Sequence, residues 1–137
     1  MAIAKRRIEY FYTMVKDRPG EAYRLLSELS ESGVNLLAFN TIPMGPNHTQ
    51  VVLFPEDITS LAEAAEESSL ALTGPEHAFL IQGDDRLGAL AEVHRALADA
   101  GVNVFTSGGV TDGRGGFGYL VYVRPEEYEQ AAAALGI

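Results

Sequence analysis

Cysteine is absent from this 137-residue sequence. Without cysteine the chain has no disulfide, no thiolate metal site, no iron–sulfur cluster and no cysteine nucleophile. No apolar run approaches the roughly 20 residues that a membrane-spanning helix needs. The first residues also lack the apolar core and the small-residue cleavage site of a signal peptide. We therefore expect a cytoplasmic protein with no membrane partner.

Positive charge is also scarce. The chain has 10 Lys and Arg residues and 19 Asp and Glu residues, which gives a formal net charge of −9. Residues 1–18 carry five bases against two acids, and the remaining residues carry five against seventeen. The acidic residues after position 18 repel the phosphate backbone of a nucleic acid over a Debye length of about 8 Å, which excludes a nucleic-acid partner. We expect the basic cluster Lys5-Arg6-Arg7 to be a solvated N-terminal tail.

The sequence contains an internal repeat. Residues 17–35 align without gaps with residues 85–103, and the two stretches share an Asp-Arg-x-Gly start and a Gly-Val-Asn end. The match resumes downstream as residues 53–57 against residues 123–127. The second copy has gained two residues between these blocks, as is typical of a surface turn. The alignment therefore predicts a tandem duplication.

Both copies show the same order of strands and helices, which predicts an α+β fold of two ferredoxin-like βαββαβ repeats. The first domain covers 1–73 and the second 77–137, joined by the linker Thr73-Gly-Pro-Glu76. The first copy ends with a short strand at Leu70–Leu72, whereas the second copy lacks its final strand. Because exposed sheet faces and an open strand edge need partners, we expect the repeats to pack sheet-to-sheet or side by side, and the chain to form a homodimer.

Local signals indicate where the first helix of each copy begins and ends. The first strand alternates from Ile8 to Met14, and Pro19 suits the first position of the helix that follows. Gly33 and Gly101 stand where a left-handed helix terminator is needed. In the second copy the next strand is predicted at Val102–Ser107.

The candidate site is the turn between the first strand and the first helix of each copy. Its residues are Asp17, Arg18, Pro19 and Gly20 with Asn35, and Asp85, Arg86, Leu87 and Gly88 with Asn103. A helix N-terminus offers unpaired N–H groups and about half a positive charge, which suits a carboxylate. Glycine permits close approach to the backbone, and asparagine can both donate to and accept from an amino-acid zwitterion. The same residues also fit a turn without a ligand, in which Asp caps the turn and Asn adopts a backbone conformation that most residues avoid.

The order of strand, Asp-x-Pro-Gly turn, amphipathic helix, Gly-Val-Asn and strand resembles the ACT domain family, over nearly the whole chain and twice. Members of this family are small regulatory modules that bind amino acids beside enzymes of amino-acid metabolism. The resemblance implies an amino-acid ligand and a partner enzyme of that kind. In the family the ligand lies between the loop after the first strand and the start of the second strand, usually where two modules meet. The resemblance thus implies that the ten candidate residues bind a ligand.

The sequence departs from the family pattern in two ways. Family members often have asparagine where this chain has Asp17 and Asp85, and an ionised aspartate holds an ammonium group but repels a carboxylate. We expect Arg18 and Arg86 to compensate by binding the carboxylate in a forked contact. The second copy also lacks the proline and its final strand, so we expect one type of working pocket rather than two.

Other motifs predict no catalytic, metal or cofactor site. Residues 113–118 match G-x-G-x-x-G, but a strand follows them instead of the helix that a dinucleotide needs, so they are interpreted as a hairpin tip. His48, His77 and His94 lack the spacing of metal ligands, and we expect His94 on the inward face of its helix. No serine lies in a nucleophile elbow, and no carboxylate pair suits acid–base catalysis.

The sequence therefore predicts a non-catalytic sensor that binds an amino acid at a junction of two ACT-like modules, with neither cofactor nor metal. Such a protein regulates amino-acid metabolism through its own assembly or through a partner enzyme. The alternative is a constitutive scaffold or partner-binding subunit with a degenerate pocket. A small enzyme on the same fold, such as an acylphosphatase, is disfavoured because Asp17 beside Arg18 would repel the phosphate.

Overall fold

The computed structural model describes residues 3–137, in which six β-strands and four α-helices follow one another. In chain order they are β1 (Ala4–Lys16), α1 (Glu21–Glu31), β2 (Leu36–Met44), β3 (His48–Pro55), α2 (Ile58–Glu67), β4 (Thr73–Asp84), α3 (Ala89–Asp99), β5 (Thr106–Thr111), β6 (Gly116–Tyr122) and α4 (Tyr128–Leu135). The strand order is β2-β3-β1-β4-β6-β5, and the pairs that β3 and β6 make are antiparallel. This is an α+β fold, as the sequence predicted. None of the helices in residues 3–137 has the length and apolar character that crossing a membrane requires.

The chain divides into two compact units, of which one is Glu9–Glu76. In this unit Leu53 of β3 lies opposite Phe11 of β1 and opposite Phe39 of β2. Directly opposed residues point to the same side of a sheet, so these three side chains share one face. That face packs against α1 and α2. The buried core consists of Leu25, Leu29, Val34, Val51, Leu53, Leu61 and Ala64.

The other unit joins His77–Ile137 to the start of the chain up to Ile8. Strand β6 pairs with β4 and with β5, and Leu120 lies opposite Leu80 on one side and Gly108 on the other. The helices α3 and α4 cover the opposite face of this sheet. Its buried core consists of Phe79, Ile81, Val93, Leu97, Val102, Tyr119, Val121, Val123, Tyr128, Ala131, Ala132 and Leu135.

The start of β1 completes the sheet of the unit that contains His77–Ile137. Ile3 packs against the core of this unit, and a Cβ atom on Gly83 would lie 3.0 Å from Cγ1 of Ile3. Arg7 donates to the two carboxylate oxygens of Glu129 at 3.1 and 2.9 Å. The guanidinium of Arg7 also lies 5.7 Å from the ring centre of Tyr128. The first strand is thus held by apolar packing and by an ion pair.

Two predictions about the ends of the repeats are therefore wrong. Lys5-Arg6-Arg7 is not a solvated tail, because it belongs to β1. Long basic side chains keep their charges in water while their backbone pairs as a strand, so a cluster of charges does not exclude a strand. The edge of β4 is not open either, because the first residues of β1 lie beside it in the strand order.

The predicted linker is also wrong. Thr73-Gly-Pro-Glu76 is extended and forms the first part of β4, whereas Leu70–Leu72 is not a strand. Gly74 has a φ of 139°, and a Cβ atom there would lie 2.9 Å from Cδ2 of Phe11 and from the carbonyl oxygen of Tyr10. Glycine is present because β1 passes so close, and not because the segment is a flexible connection.

The predicted helix ends are confirmed, whereas one predicted start is wrong. Gly33 and Gly101 follow α1 and α3 with φ values of 78° and 74°. Pro19 lies in the turn before α1 and not at its first helical position. The helix begins after Gly20, whose φ of 89° is left-handed. The helix start predicted from Pro19 was wrong because this turn needs a residue of positive φ between the proline and the helix.

The hairpin predicted over residues 113–118 is confirmed, but the strand before it begins later than expected. β5 begins at Thr106 and not at Val102, because the amide of Val102 still donates to the carbonyl of Leu97 at 2.9 Å in the turn that ends α3. The tip is closed by Asp112, whose carboxylate accepts from the amides of Arg114 at 2.6 Å and of Gly116 at 3.0 Å.

Candidate functional site

The turn from β1 into α1 is an exposed corner that backbone hydrogen bonds hold in place. The amide of Asp17 donates to the carbonyl of Asn47 at 2.9 Å, which ties the turn to the loop between β2 and β3. Gly20 starts the helix, and no side chain in residues 3–137 caps it. A Cβ atom on Gly20 would have no described neighbour within 4 Å. All four residues of the turn, Asp17–Gly20, are exposed.

The turn from β4 into α3 has the same backbone geometry. The amide of Asp85 donates to the carbonyl of Gly115 at 2.8 Å, which ties this turn to the tip between β5 and β6. Gly88 starts the helix with a φ of 83°, and no described side chain caps it. Leu87, the counterpart of Pro19, is fully exposed. The equivalence that the alignment predicts therefore extends to the hydrogen bonds of the two turns.

The arginines of both corners bind glutamates of their own helix. Nε of Arg18 donates to Oε1 of Glu21 at 3.1 Å. Arg86 makes two hydrogen bonds to the carboxylate of Glu92, at 3.2 and 2.6 Å. These hydrogen bonds, reinforced by the charge of Arg86, lower the pKa of Glu92. A ligand carboxylate at either corner therefore has to compete with a glutamate for the arginine.

The asparagine of each copy lies far from the turn of the same copy. Asp17 stands beside Asn47, just before β3 begins, whereas the carbonyl of Asn35 accepts from the amide of Glu56 at 2.9 Å, just after β3 ends. The eight residues of β3 lie between these two points. At a rise of about 3.3 Å per residue they separate Asp17 from Asn35 by roughly 25 Å. The structure therefore does not bring Asn35 together with the turn at Gly20 within one unit.

The separation has a topological cause. β1 and β2 are both antiparallel to β3, so they run parallel to each other. A helix that connects two parallel strands returns the chain to the end of the sheet from which it set out. The residue after such a helix therefore lies at the opposite end from the turn before it.

Asn35 has a partner in the protein, and Asn103 is exposed. Nδ2 of Asn35 donates to Oε2 of Glu56 at 2.5 Å. Asn103 lies just before β5, and the amide of Phe105 donates to the carbonyl of Tyr122 at 2.8 Å at the far end of β6 from Gly115. Sequence reasoning did not identify the glutamates at positions 21, 56 and 92 as partners of candidate residues, although the spacing of Arg18 and Glu21 indicates such a pair on a helix.

A shallow depression of about 510 Å³ lies along the exposed face of α1. It is lined by Gly20, Tyr23, Arg24, Ser27, Glu28 and Glu31. Tyr23 is 76% exposed there, and Arg24 pairs with Glu21 at 3.1 Å. Of the predicted site residues only Gly20 belongs to this depression, and all of its lining comes from one helix and the turn before it.

The histidines form no metal site. Within residues 3–137 no group of three or more His, Asp or Glu side chains is placed to hold a metal ion. His94 is exposed and not inward as expected, and its Nε2 lies 2.6 Å from the hydroxyl of Tyr119. Its helix therefore presents this side chain at the rim of the core, where it meets a polar group of the sheet.

The fold is shared with solved structures of low sequence identity. It is similar to protein BT0572 from Bacteroides thetaiotaomicron at 15% identity, with a TM-score of 0.80 over 96% of this chain and 88% of that chain. It is similar to the ligand-free regulatory subunit of aspartate kinase from Thermus thermophilus at 17% identity, with a TM-score of 0.64 over 97% and 93% of the two chains. It is also similar to the regulatory subunit of aspartate kinase from Thermus flavus at 19% identity, with a TM-score of 0.61 over 98% and 95% of the two chains.

At these identities the likeness shows the fold alone, an α+β fold of the ACT-like ferredoxin type. No protein-family model matches the sequence, and no curated protein matches it.

Proposed function

We propose that this protein is a non-catalytic regulatory protein of two tandem ACT-like modules that binds an amino acid. The observation that supports the proposal most is the repeated corner, in which a left-handed glycine starts an uncapped helix and an aspartate amide is tied to the neighbouring hairpin. These corners fall on the residues that resemble the ACT family. The fold that the chain shares with regulatory subunits of aspartate kinase supports a role in amino-acid metabolism.

The proposed modules keep the boundaries of the sequence alignment, 1–73 and 77–137. The ligand carboxylate binds amides in the first turn of the helix, which no described side chain caps, and the aspartate of the turn, Asp17 or Asp85, accepts from the ammonium group. A ligand that touches both a turn and an asparagine has to bridge two modules, because these groups lie roughly 25 Å apart within one module. The second module comes from the same chain or from a second copy.

The proposed mode of action is a change in assembly. A ligand that binds only the associated modules stabilises their association by RT ln(1 + [L]/Kd), about 2.7 kcal/mol at a hundredfold excess over Kd. Such a ligand shifts a homodimer, or the contact with an enzyme of amino-acid metabolism, towards the bound state. The proposal places the protein in the cytoplasm, without a nucleic-acid partner.

The direct test is a screen of the twenty amino acids by thermal shift, followed by calorimetry on each hit. We expect one amino acid, or a small chemically related group, to raise the melting temperature. Asn35→Ala and Asn103→Ala remove hydrogen bonds to a charged ligand and are expected to weaken binding about tenfold. The exposed Ser30→Ala on α1 is the matched control and leaves the affinity unchanged. A flat panel, confirmed by calorimetry, would refute the proposed ligand.

A constitutive scaffold or partner-binding subunit is the second candidate. It is favoured by the internal pairs of Arg18 with Glu21, of Arg86 with Glu92 and of Asn35 with Glu56, which occupy groups that a ligand would use. Substituting the corner residues leaves partner binding intact in a scaffold but abolishes the ligand response of a sensor. Measuring partner capture with and without Asp17→Ala and Asn35→Ala separates the two functions.

A further inference from the structure

Two of the three methionines in the chain lie on one face of the sheet that β1, β3 and β2 form. Met44 of β2 is directly opposite His48 of β3, and Met14 of β1 is directly opposite Gln50 of β3. Directly opposed residues, and residues two apart in one strand, point to the same side of a sheet. Val51, the next residue of β3, points to the other side and belongs to the core with α1 and α2. Met14, Met44 and His48 therefore share the face opposite to the helices.

The side chains of these three residues are within reach of one another. Directly opposed residues of an antiparallel pair have Cβ atoms about 4.5–5.5 Å apart, and diagonal neighbours lie about 7–8 Å apart. His48 is the direct neighbour of Met44 and the diagonal neighbour of Met14. Methionine has three rotatable bonds, so both sulfurs can turn towards the imidazole ring. Met14 is 45% and Met44 46% exposed, and His48 is exposed too, so an ion can approach from solvent.

The backbone that carries the three side chains is held in place by strand pairing. The register of β1 with β3 is unbroken from Phe11 to Lys16, and that of β2 with β3 is unbroken from Ala38 to Met44. The amide of Asp17, just after β1, donates to the carbonyl of Asn47 in the hairpin loop at 2.9 Å. Binding an ion therefore orders only side chains, which lowers the entropic cost of binding.

The chemistry of this face selects one class of ion. Thioether sulfur is a soft ligand that favours Cu(I), and imidazole also suits copper. The other residues that the register places here are Lys16, Ile42 and Gln50, so the face has none of the carboxylates that bind Ca²⁺ and Mg²⁺. Zn²⁺ takes thiolate, imidazole or carboxylate ligands, and the chain has no cysteine. The long, exposed side chain of Lys16 can keep its ammonium group in water.

We propose that Met14, Met44 and His48 form a binding site for Cu(I), with two thioether sulfurs and one imidazole nitrogen as ligands. In residues 3–137 His, Asp and Glu side chains alone form no metal site, and in this site the two sulfurs complete the set of ligands. Sequence spacing did not reveal the site because its ligands come from three different strands. None of the ten candidate corner residues takes part, so the site is a further binding function that does not depend on the proposed amino-acid ligand.

The test is a titration of the full chain with Ag(I), a soft monovalent ion that stands in for Cu(I) without redox chemistry, in a buffer free of chloride. Calorimetry measures the affinity and the stoichiometry. NMR of protein labelled with ¹³C at the methionine ε-methyl groups follows each sulfur separately. We expect one ion per chain and a shift of the signals of both Met14 and Met44. Under anaerobic conditions Cu(I) should displace Ag(I) and give the same pattern, and Zn²⁺ should cause no shift.

The variants Met44→Leu and His48→Gln each remove one ligand with little change in side-chain size. Each is expected to raise the dissociation constant for Ag(I) about tenfold or more, since the loss of even an outer partner of a metal ligand has an effect of that size. The matched control is His77→Gln, which removes an exposed histidine from β4 and leaves the affinity unchanged. Circular dichroism confirms that all variants are folded. The absence of binding overturns the proposal, and so does an equal effect of His48→Gln and His77→Gln.

Discussion

The imidazole Nε2 of His94 on α3 lies 2.6 Å from the hydroxyl of Tyr119 on β6. The ring of Tyr119 fits beside β5 because residue 109 is glycine, where a Cβ atom would lie 2.7 Å from Cδ1 of Tyr119. The aligned helices and the strand registers place Leu26, Val51 and Thr41 at the corresponding positions of the unit Glu9–Glu76. Leucine and valine have no polar group in their side chains, so the hydrogen bond between His94 and Tyr119 has no equivalent at the corresponding positions of the unit Glu9–Glu76.

The first prediction concerns the strength of the hydrogen bond between His94 and Tyr119. In a double-mutant cycle, Tyr119→Phe and His94→Leu are expected to show a coupling free energy of about 1 kcal/mol, because each substitution removes the same neutral hydrogen bond. Urea unfolding of the four proteins measures it. Leucine is the residue of the first copy at this position, so its apolar surface suits the rim of the core. Strictly additive effects would show that the hydrogen bond contributes nothing to stability.

The second prediction compares adjacent glycines of β5. Gly109→Ala is expected to lower the free energy of unfolding by about 1–3 kcal/mol, because the new methyl group overpacks against the buried ring of Tyr119. Gly108→Ala has no described neighbour within 4 Å and is expected to leave stability unchanged or to raise it by less than about 1 kcal/mol. Chemical denaturation measures both. Equal losses for the two variants would contradict the contact with Tyr119.

The third prediction concerns the start of β1. Ile3→Asp is expected to destabilise the unit that contains His77–Ile137 by about 1–3 kcal/mol, because it places a charge against the apolar core. Hydrogen exchange should then accelerate in β4 over residues 77–84 and remain slow in β3. Arg6→Asp is the control, since Arg6 lies three residues after Ile3 in β1 and is exposed. If Ile3→Asp and Arg6→Asp behave alike, the chain start is not part of that core.

The fourth prediction concerns the hairpin tip and pH. The amides of Arg114 and Gly116 donate to the carboxylate of Asp112 and hold its pKa below the usual value of 3.8. Because the pKa is lowered on folding, the carboxylate stabilises the tip at higher pH and the stabilisation is lost as pH falls through the lowered pKa. NMR titration of the Asp112 carboxyl measures the pKa directly, and the protection factor of the Arg114 amide against hydrogen exchange should fall over the same range. In Asp112→Asn this pH dependence disappears, and a pKa above 3.8 in the unaltered chain would contradict the hydrogen bonds.

Much of the local structure was predictable because it depends on residues close in sequence. The apolar stripe of α1 follows the helical period and consists of Ala22, Leu25, Leu26 and Leu29. Leu25 and Leu29 are buried, whereas Ala22 is half-buried and Leu26 is 37% exposed. Gly33 ends its helix with a positive φ, which glycine adopts without strain. Asp57 caps α2 by accepting from the amide of Thr59 at 3.1 Å, a contact between residues two positions apart. Each of these signals lies within four residues of the feature that it predicts.

The candidate corners were predictable only in part. The backbone of each turn follows from its own residues, and Gly20 and Gly88 are left-handed for the same local reason. The positions of Asn35 and Asn103 depend instead on which strands run parallel, and that becomes certain only when β3 and β6 are seen between their partners. An asparagine 15 residues after its glycine is close in sequence but lies at the other end of the sheet.

The sequence by itself determined the helices, their apolar faces, the turns and the repeat, because short-range periodicity and glycine conformation act along the chain. Only the tertiary structure decided that the start of β1 belongs to the unit that contains His77–Ile137, and that Thr73-Gly-Pro-Glu76 forms the first part of β4. Strand pairing joins residues far apart in sequence, and the free energy of each pair depends on the neighbour that is available. A basic or glycine-containing segment therefore becomes strand or loop according to what lies beside it in space.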